Sequence, residues 1–339
     1  MTRLKSPTPQ FGPCAAVFLI AALLASCSSA PKVPEGIFDA RNKAAEFAKM
    51  GDTFMAKAQF AQALQYYSDA LKANSAVDDL VGVAASHASM GRAYLAAGET
   101  DAARLEYQAS LEYARFAGLT SAQSIATAGL GEIAFALGAK EEALAAFEEA
   151  VALATAGEKA AAKEARGGNP LSVALHDTAV AKASLGRFSE AITDLETAQG
   201  MNLKAKRWVE LGANRYALAS ALAATGRTEE ALAAALGALD ADKRAENARA
   251  VPGDLAAAAS LSSKLGKDAE AWDYWRRTFD SAMSADDAVA VRKALEALVA
   301  AAPKLKKDVD GSRYSALLAK LDEAEGKAGS TTAGTDVSP

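Results

Sequence analysis

The side chains that most often do chemistry are scarce in this chain of 339 residues, which has two histidines, His87 and His176, and two cysteines, Cys14 and Cys27. That inventory cannot compose a multi-cysteine zinc site, and a histidine-based metal or catalytic cluster is nearly as remote. A catalytic imidazole needs a nucleophile or carboxylate brought alongside it by the fold, and nothing in the sequence predicts that for His87 or His176. Asp308-Val309-Asp310-Gly311 has the opening of a calcium loop. It lacks a third ligand before the glycine and a glutamate at position twelve, so it reads as a turn capping the last helix. The acid pairs Glu141-Glu142 and Glu229-Glu230 stand at helix starts, where the dipole favours negative charge without any acid–base role. No P-loop and no glycine-rich dinucleotide motif occurs. The residues point away from an enzyme and call for no metal or cofactor.

Composition narrows the classes further. Hydrophobic residues make up 51% and charged residues 23%, normal for a folded protein, with a net charge of −5. Lys and Arg are scattered, so no basic stripe exists to displace the counterions of a nucleic acid. Aromatic residues are only 6%, and alanine stands in their place almost everywhere.

The first residues read as an address. Arg3 and Lys5 form a basic start, and an apolar run follows from Ala15 to Ala25. It is short of the roughly 20 residues a membrane-spanning helix needs and suits an export signal. The run ends Leu24-Ala25-Ser26-Cys27, which resembles the lipobox of bacterial lipoproteins. That resemblance implies a signal peptide over residues 1–26 and a diacylglyceryl thioether on Cys27, the acylated N-terminus. The alternative is an ordinary secretory signal with a chance cysteine. Cys14 would leave with the signal, and so would Arg3 and Lys5, taking the net charge from −5 to −7. Ser28 follows the cysteine where an aspartate would mark inner-membrane retention, which favours the outer membrane, facing the periplasm. Ser28 to Glu35, with Pro31 and Pro34, reads as a tether, and residues 27–43 precede the first repeat.

One pattern then dominates the chain. Gly-x-x-x-(acid or Ala)-Ala recurs at Gly98, Gly138, Gly186, Gly226 and Gly266, at intervals of 40, 48, 40 and 40 residues, with a weaker copy at Ala58. A fixed pitch marks a repeat architecture. In each copy a helix runs into a glycine that can take the left-handed conformation and end it. Acids follow at the start of a second helix. The alanine five residues on (Ala63, Ala103, Ala143, Ala191, Ala231, Ala271) lets paired helices approach closely.

In detail the copies resemble the tetratricopeptide repeat. Phe47, Met50-Gly51, Phe54, Ala63 and Tyr67 match its pattern in the first repeat. Met90-Gly91, Tyr94, Gly98, Ala103 and Tyr107 match in the second, and Leu130-Gly131, Gly138, Ala143 and Phe147 in the third. Later copies drift, with Ala179, Ala219 and Ala259 for the first-helix glycine and Leu195, Ala235 and Trp275 for the late aromatic. The implied fold is all-α, a right-handed α-solenoid of about six helix pairs near 44–77, 84–117, 124–157, 172–205, 212–245 and 252–285. Helices over 286–325 would cap it, and 326–339 is expected to be disordered. The family's length is 34 residues, so the extra six predict a longer second helix. The 48-residue interval predicts an eight-residue loop around Gly167-Gly168-Asn169-Pro170.

The family also turns positions 2, 5, 9, 12 and 13 of each first helix inward. On that resemblance Asp52, Arg92 and Glu132 at position 9 and Met55, Leu95 and Phe135 at position 12 line the first half of a groove. His176 and Tyr216 stand out in the second half. His87 falls at a packing position, and Trp208, Trp272 and Trp275 read as core. The implied function is a lipid-anchored scaffold binding an envelope protein or peptide, with Arg92 as a polar clamp. The alternative is an accessory ligand-binding component of a periplasmic transport system, using the space around His176 and Tyr216.

Overall fold

A computed structural model describes residues 35–164 and 170–332, and every regular element within them is an α-helix. Fourteen follow in order: α1 (Glu35–Ala56), α2 (Phe60–Ser75), α3 (Leu80–Ala96), α4 (Thr100–Phe116), α5 (Thr120–Ala136), α6 (Lys140–Glu164), α7 (Pro170–Ser184), α8 (Phe188–Ala205), α9 (Trp208–Ala224), α10 (Thr228–Arg244), α11 (Val251–Lys264), α12 (Asp268–Ser284), α13 (Ala288–Ala301) and α14 (Asp308–Thr332). Each packs on the next, and extensive contacts that skip a helix join only odd-numbered ones, from α1–α3 through to α11–α13. The odd helices therefore form the inner layer of a curved stack, and the even helices the outer layer. The signal segment, Cys27 and Gly167 to Asn169 lie outside the described residues.

The pitch comes from the turns. After α3, Gly98 takes φ +82°, its N–H donates to Leu95 O at 3.0 Å, and Glu99 N–H donates to Tyr94 O at 2.9 Å. These bonds satisfy carbonyls that the helix end would leave orphaned. The equivalent turn recurs at Ala58, Gly138, Gly186, Gly226 and Gly266, all at positive φ. It also recurs at Lys306, φ +54°, 40 residues beyond Gly266. So α13 and α14, set apart above as a cap, form a seventh hairpin on the same rhythm.

Several boundaries differ from the sequence reading. The extra residues per repeat are not confined to the second helix: α3 and α4 are both 17 residues long. The additional length of the 48-residue interval is largely helical, because α6 runs for 25 residues where α4 has 17. The loop expected near Gly167 falls mostly outside the described residues, and Pro170 opens α7. Residues 35–43, expected before the array, form the start of α1. Asp308 and Asp310 lie in the first turn of α14 rather than in a preceding turn. That helix continues to Thr332, so 326–332 are helical; extending an existing helix costs far less than nucleating one. Glu141-Glu142 and Glu229-Glu230 do occupy first turns, of α6 and α10.

Packing accounts for the drift of the repeat signature in the fourth and fifth repeats, whereas in the sixth Ala259 stands with the large Trp275. A Cβ on Gly51 would lie 2.5 Å from the Tyr67 ring, one on Gly91 3.0 Å from Tyr107, and one on Gly131 2.8 Å from Phe147. An outer-helix aromatic thus lies flat on the inner-helix backbone. Where the aromatic shrinks to Leu195 and Ala235, the glycine becomes Ala179 and Ala219, and all four are buried. Between successive pairs, one seam position is Ala114, Ala154 or Ala282 in three cases and Asn74, Asn202 or Asp242 in the others, all buried. Asn74 Nδ2 donates to Ser86 Oγ at 3.2 Å, and Ser172 Oγ donates to Asn202 Oδ1 at 2.9 Å. Among the described residues no helix is long and apolar enough to cross a membrane.

Candidate functional site on the inner face

Two groups of polar and charged side chains on the inner helices bear on a binding site. In the first, Arg92 Nη2 on α3 donates to Asp52 Oδ1 on α1 at 2.8 Å and to the Tyr67 hydroxyl on α2 at 3.3 Å. The Tyr67 hydroxyl in turn donates to Asp52 Oδ1 at 2.7 Å. Arg92 and Asp52 are 55% and 61% exposed in their side chains, so the pair contributes on the order of 0–1 kcal/mol. Its effect is to hold the guanidinium in place. Burial, then the bond to Asp52, pushes the Tyr67 hydroxyl up to about 12, which keeps it a neutral donor.

The second group is acidic. Burial lifts the Glu132 carboxyl on α5 to about 6, with the charge of Arg92 opposing. Burial and then the charge of Glu132 lift Asp177 on α7 to about 8. Asp177 Oδ2 is buried with no hydrogen-bond partner among the described residues. Burial, followed by the charge of Glu132, also raises the Tyr107 hydroxyl behind them. Two carboxyls thus share a desolvated stretch of the inner face while Arg92 is engaged by Asp52.

Apolar side chains run beside these acids. Ile125, Val173 and Tyr216, on the successive inner helices α5, α7 and α9, are 43%, 40% and 44% exposed. Ile125 precedes Glu132 by seven residues and Val173 precedes Asp177 by four, spacings that put each pair on one helix face. His176 approaches Asn214 Oδ1 on α9 with its Nδ1 at 2.7 Å. Burial lowers its pKa against the pull of that bond, leaving a neutral ring whose Nδ1–H donates to the amide.

A family model for the tetratricopeptide repeat matches residues 128–156. No curated protein matches the chain significantly in sequence. Among solved structures, the chain is similar to a signal transduction ATPase with numerous domains from Pyrococcus horikoshii that carries a tetratricopeptide repeat sensor. The TM-score is 0.62 at 13% identity, over 86% of this chain and 44% of that one, so it spans less than half of that protein. It is also similar to a Rap protein complexed with competence and sporulation factor (TM-score 0.57, 14% identity, 83% of this chain and 75% of that one). PilF of Pseudomonas aeruginosa is a third (TM-score 0.51, 17% identity, 72% and 92%). The fold is a tetratricopeptide-type solenoid.

Within this solenoid the residues inferred for the groove fall into two sets. Asp52, Arg92, Glu132, His176 and Tyr216 all belong to odd helices, Arg92 bonding Asp52 and His176 reaching Asn214. Met55, Leu95 and Phe135 are half-buried and pack against the cores of their own repeats, Met55 near Tyr67, Leu95 near Tyr107 and Phe135 near Phe147. The exposed apolar strip is instead Ile125, Val173 and Tyr216, of which only Tyr216 was singled out. Asp177 was also missed. Its equivalents in the second to sixth repeats are Ser89, Gly129, Ala217 and Ala257, so an acid there was the available signal. His87 pairs its Nδ1 with Glu106 Oε2 at 2.7 Å and stacks on Tyr113 of α4, binding its helix to its own partner. Trp272 and Trp275 are buried, while Trp208 is half-buried under the Arg244 guanidinium. Two open hollows, of about 390 and 380 Å³, lie by Arg215 and Arg227 and by Trp272 and Trp275, away from His176.

Proposed function

We propose that this chain is a non-catalytic, lipid-anchored scaffold of the bacterial envelope, and that its inner face holds an extended or helical segment of a partner protein. The observation that carries the binding part is the strip of Ile125, Val173 and Tyr216, left exposed on three successive inner helices of a fold built to stack such surfaces. Exposed apolar strips beside polar groups mark interaction sites. The Rap protein of similar fold was crystallised with a bound factor, which is compatible with this use of the architecture. The anchoring part rests on the lipobox resemblance at Cys27, and the proposed outer-membrane location facing the periplasm on Ser28 after it.

Two measurements test the parts separately. A photo-crosslinking residue at position 125 or 216 should capture one envelope protein in native membranes, and Tyr216→Asp or Arg92→Glu should abolish the adduct. If no adduct forms, or if it persists in both variants, the binding part is wrong. Cys27→Ala should abolish labelling by a fatty-acid probe. Undiminished labelling of that variant would remove the anchor.

A further inference from the structure

We infer that the inner face between α5 and α7 receives a basic side chain, so that the partner segment presents a Lys or Arg between apolar residues, with the cation set between Glu132 and Asp177. This inference rests on the peptide-scaffold reading and names the chemistry of its ligand. Repeats that bind acidic segments would line the same surface with cations. Here the neighbouring inner-helix cations are engaged elsewhere, Arg92 by Asp52 at 2.8 Å, Lys182 of α7 by Asp194 at 2.8 Å and Arg215 of α9 by the Gly237 carbonyl at 3.0 Å, which leaves Glu132 and Asp177 as carboxyls on successive inner helices. Asp177 Oδ2 is a buried acceptor without a hydrogen-bond partner among the described residues, although the residue itself remains partly exposed. An unpaired buried carboxylate is costly, and pairing it with an ammonium or guanidinium recovers that cost. The same cost is what lifts the two acids toward neutrality in the unliganded chain. Apolar neighbours are supplied within a helical turn or two, by Val173 on α7 and Ile125 on α5, with Tyr216 following on α9.

The geometry fixes the ligand's pattern. Val173 and Asp177 share a face of α7, and Ile125 and Glu132 share a face of α5, so apolar and acidic contacts run in parallel rows across two adjoining helices. A segment crossing these helices meets an apolar row and an acidic row together. One basic residue with apolar flanks satisfies both.

Displayed random dodecapeptides, selected on the full chain in detergent, test this directly. The selected consensus should hold Lys or Arg at one position with apolar flanks. A synthetic consensus peptide should lose at least tenfold in affinity when that residue becomes Gln. On Asp177→Asn or Glu132→Gln the same replacement should cost less than threefold, whereas on the surface control Glu141→Gln it should cost the full tenfold. The two inner-face variants are near-isosteric, and circular dichroism checks that they fold. A consensus lacking a basic position, yet lost on Tyr216→Asp, would overturn the cation site and leave the scaffold reading standing. A basic position whose replacement costs the same on all chains would reduce it to general attraction to an acidic protein. No selected peptide at all would overturn both. Self-association lost in Asp177→Asn, seen by light scattering, would assign the face to a second copy and overturn the peptide ligand.

Discussion

Ala58 holds φ +55° in the turn where five later copies place glycine at +72° to +82°. A left-handed L-residue is strained by about 1–2 kcal/mol, and glycine returns part of that as unfolded-state entropy. Ala58→Gly should therefore stabilise the chain by about 0.5–1 kcal/mol, read as a shifted urea midpoint at unchanged slope. Glu132 and Asp177 make the opposite case, of residues that cost stability where they stand. Their folded-state pKa values are raised, so the stability they contribute is complete below the ordinary carboxylate range. It is lost as pH climbs through about 6 and then about 8. Melting temperature should fall between pH 5 and pH 9, and Asp177→Asn should flatten the upper part of that fall and raise the melting point at pH 9 by a few degrees. Unchanged pH dependence in the variant would show that the carboxyl is not held in a desolvated site. At this scale the sequence was half legible. Asp52, Arg92 and Glu132 are reached from repeat position alone, because residues 40 apart take equivalent places on successive inner helices. Met55, Leu95 and Phe135 are not, because near the end of a short helix the side chain can fold onto its own partner helix. Ile125 and Val173, larger than the Ala and Gly at the equivalent position of the other repeats, were the sign of where the apolar strip lies.

Helices α4 and α5 meet so closely that a Cβ on Gly129 would lie 2.2 Å from the Tyr107 ring, while one on Gly200 of α8 would meet nothing within 4 Å. The same substitution should thus have opposite signs. Gly129→Ala forces the ring aside, at about 1–3 kcal/mol, whereas Gly200→Ala should stabilise by about 0.5–1 kcal/mol through the unfolded chain. Chemical denaturation of the two variants against the parent decides it, and equal effects would mean the aromatic has room to move. The seam between α10 and α11 carries a second test. Asp242 and Asp254 are 2% and 1% exposed, and Asn247 Nδ2 donates to Asp242 Oδ1 at 2.7 Å. Burial, then the Asp242 charge, pushes Asp254 up to about 8, so the pair keeps a proton at neutral pH. Raised pKa again means stability lost as pH rises through that value. Asp254→Asn keeps a donor toward Asp242 and should leave hydrogen exchange in α10 and α11 independent of pH between 7 and 9, after correction for intrinsic rates. In the parent, exchange there should accelerate over the same interval. Helix identity and pitch were readable because each turn needs one left-handed residue, which glycine advertises. The turns where Asp78, Lys206, Glu246 and Asp286 take positive φ carry no such sign. The polar seams were invisible, because a buried Asp or Asn on an amphipathic helix reads as surface.

A stack in which each hairpin touches only its neighbours is close to one-dimensional, so a change at one end should be felt over a limited distance. The last hairpin shows what the end contributes. Trp272 and Trp275 are buried at 2% and 6% exposure beneath Leu295, Leu298 and Tyr314, and the Tyr314 ring meets Trp272 edge-on at 6.0 Å. Ending the chain after residue 285 would expose both indoles. Each indole buries roughly 150–250 Å², so about 4–6 kcal/mol of burial per ring, as an upper limit, would be forfeited. That loss falls on the hairpin that carries both indoles, so α11 and α12 should lose hydrogen-exchange protection. Protection should recover progressively toward α9 and be intact across α3 to α7. The inner-face residues Glu132 and Asp177 lie in the part that stays folded, so peptide binding there should survive the truncation while overall melting broadens. Uniform loss of protection along the whole chain would instead show that the solenoid unfolds as one cooperative body, with the terminal hairpin stabilising even the first repeats.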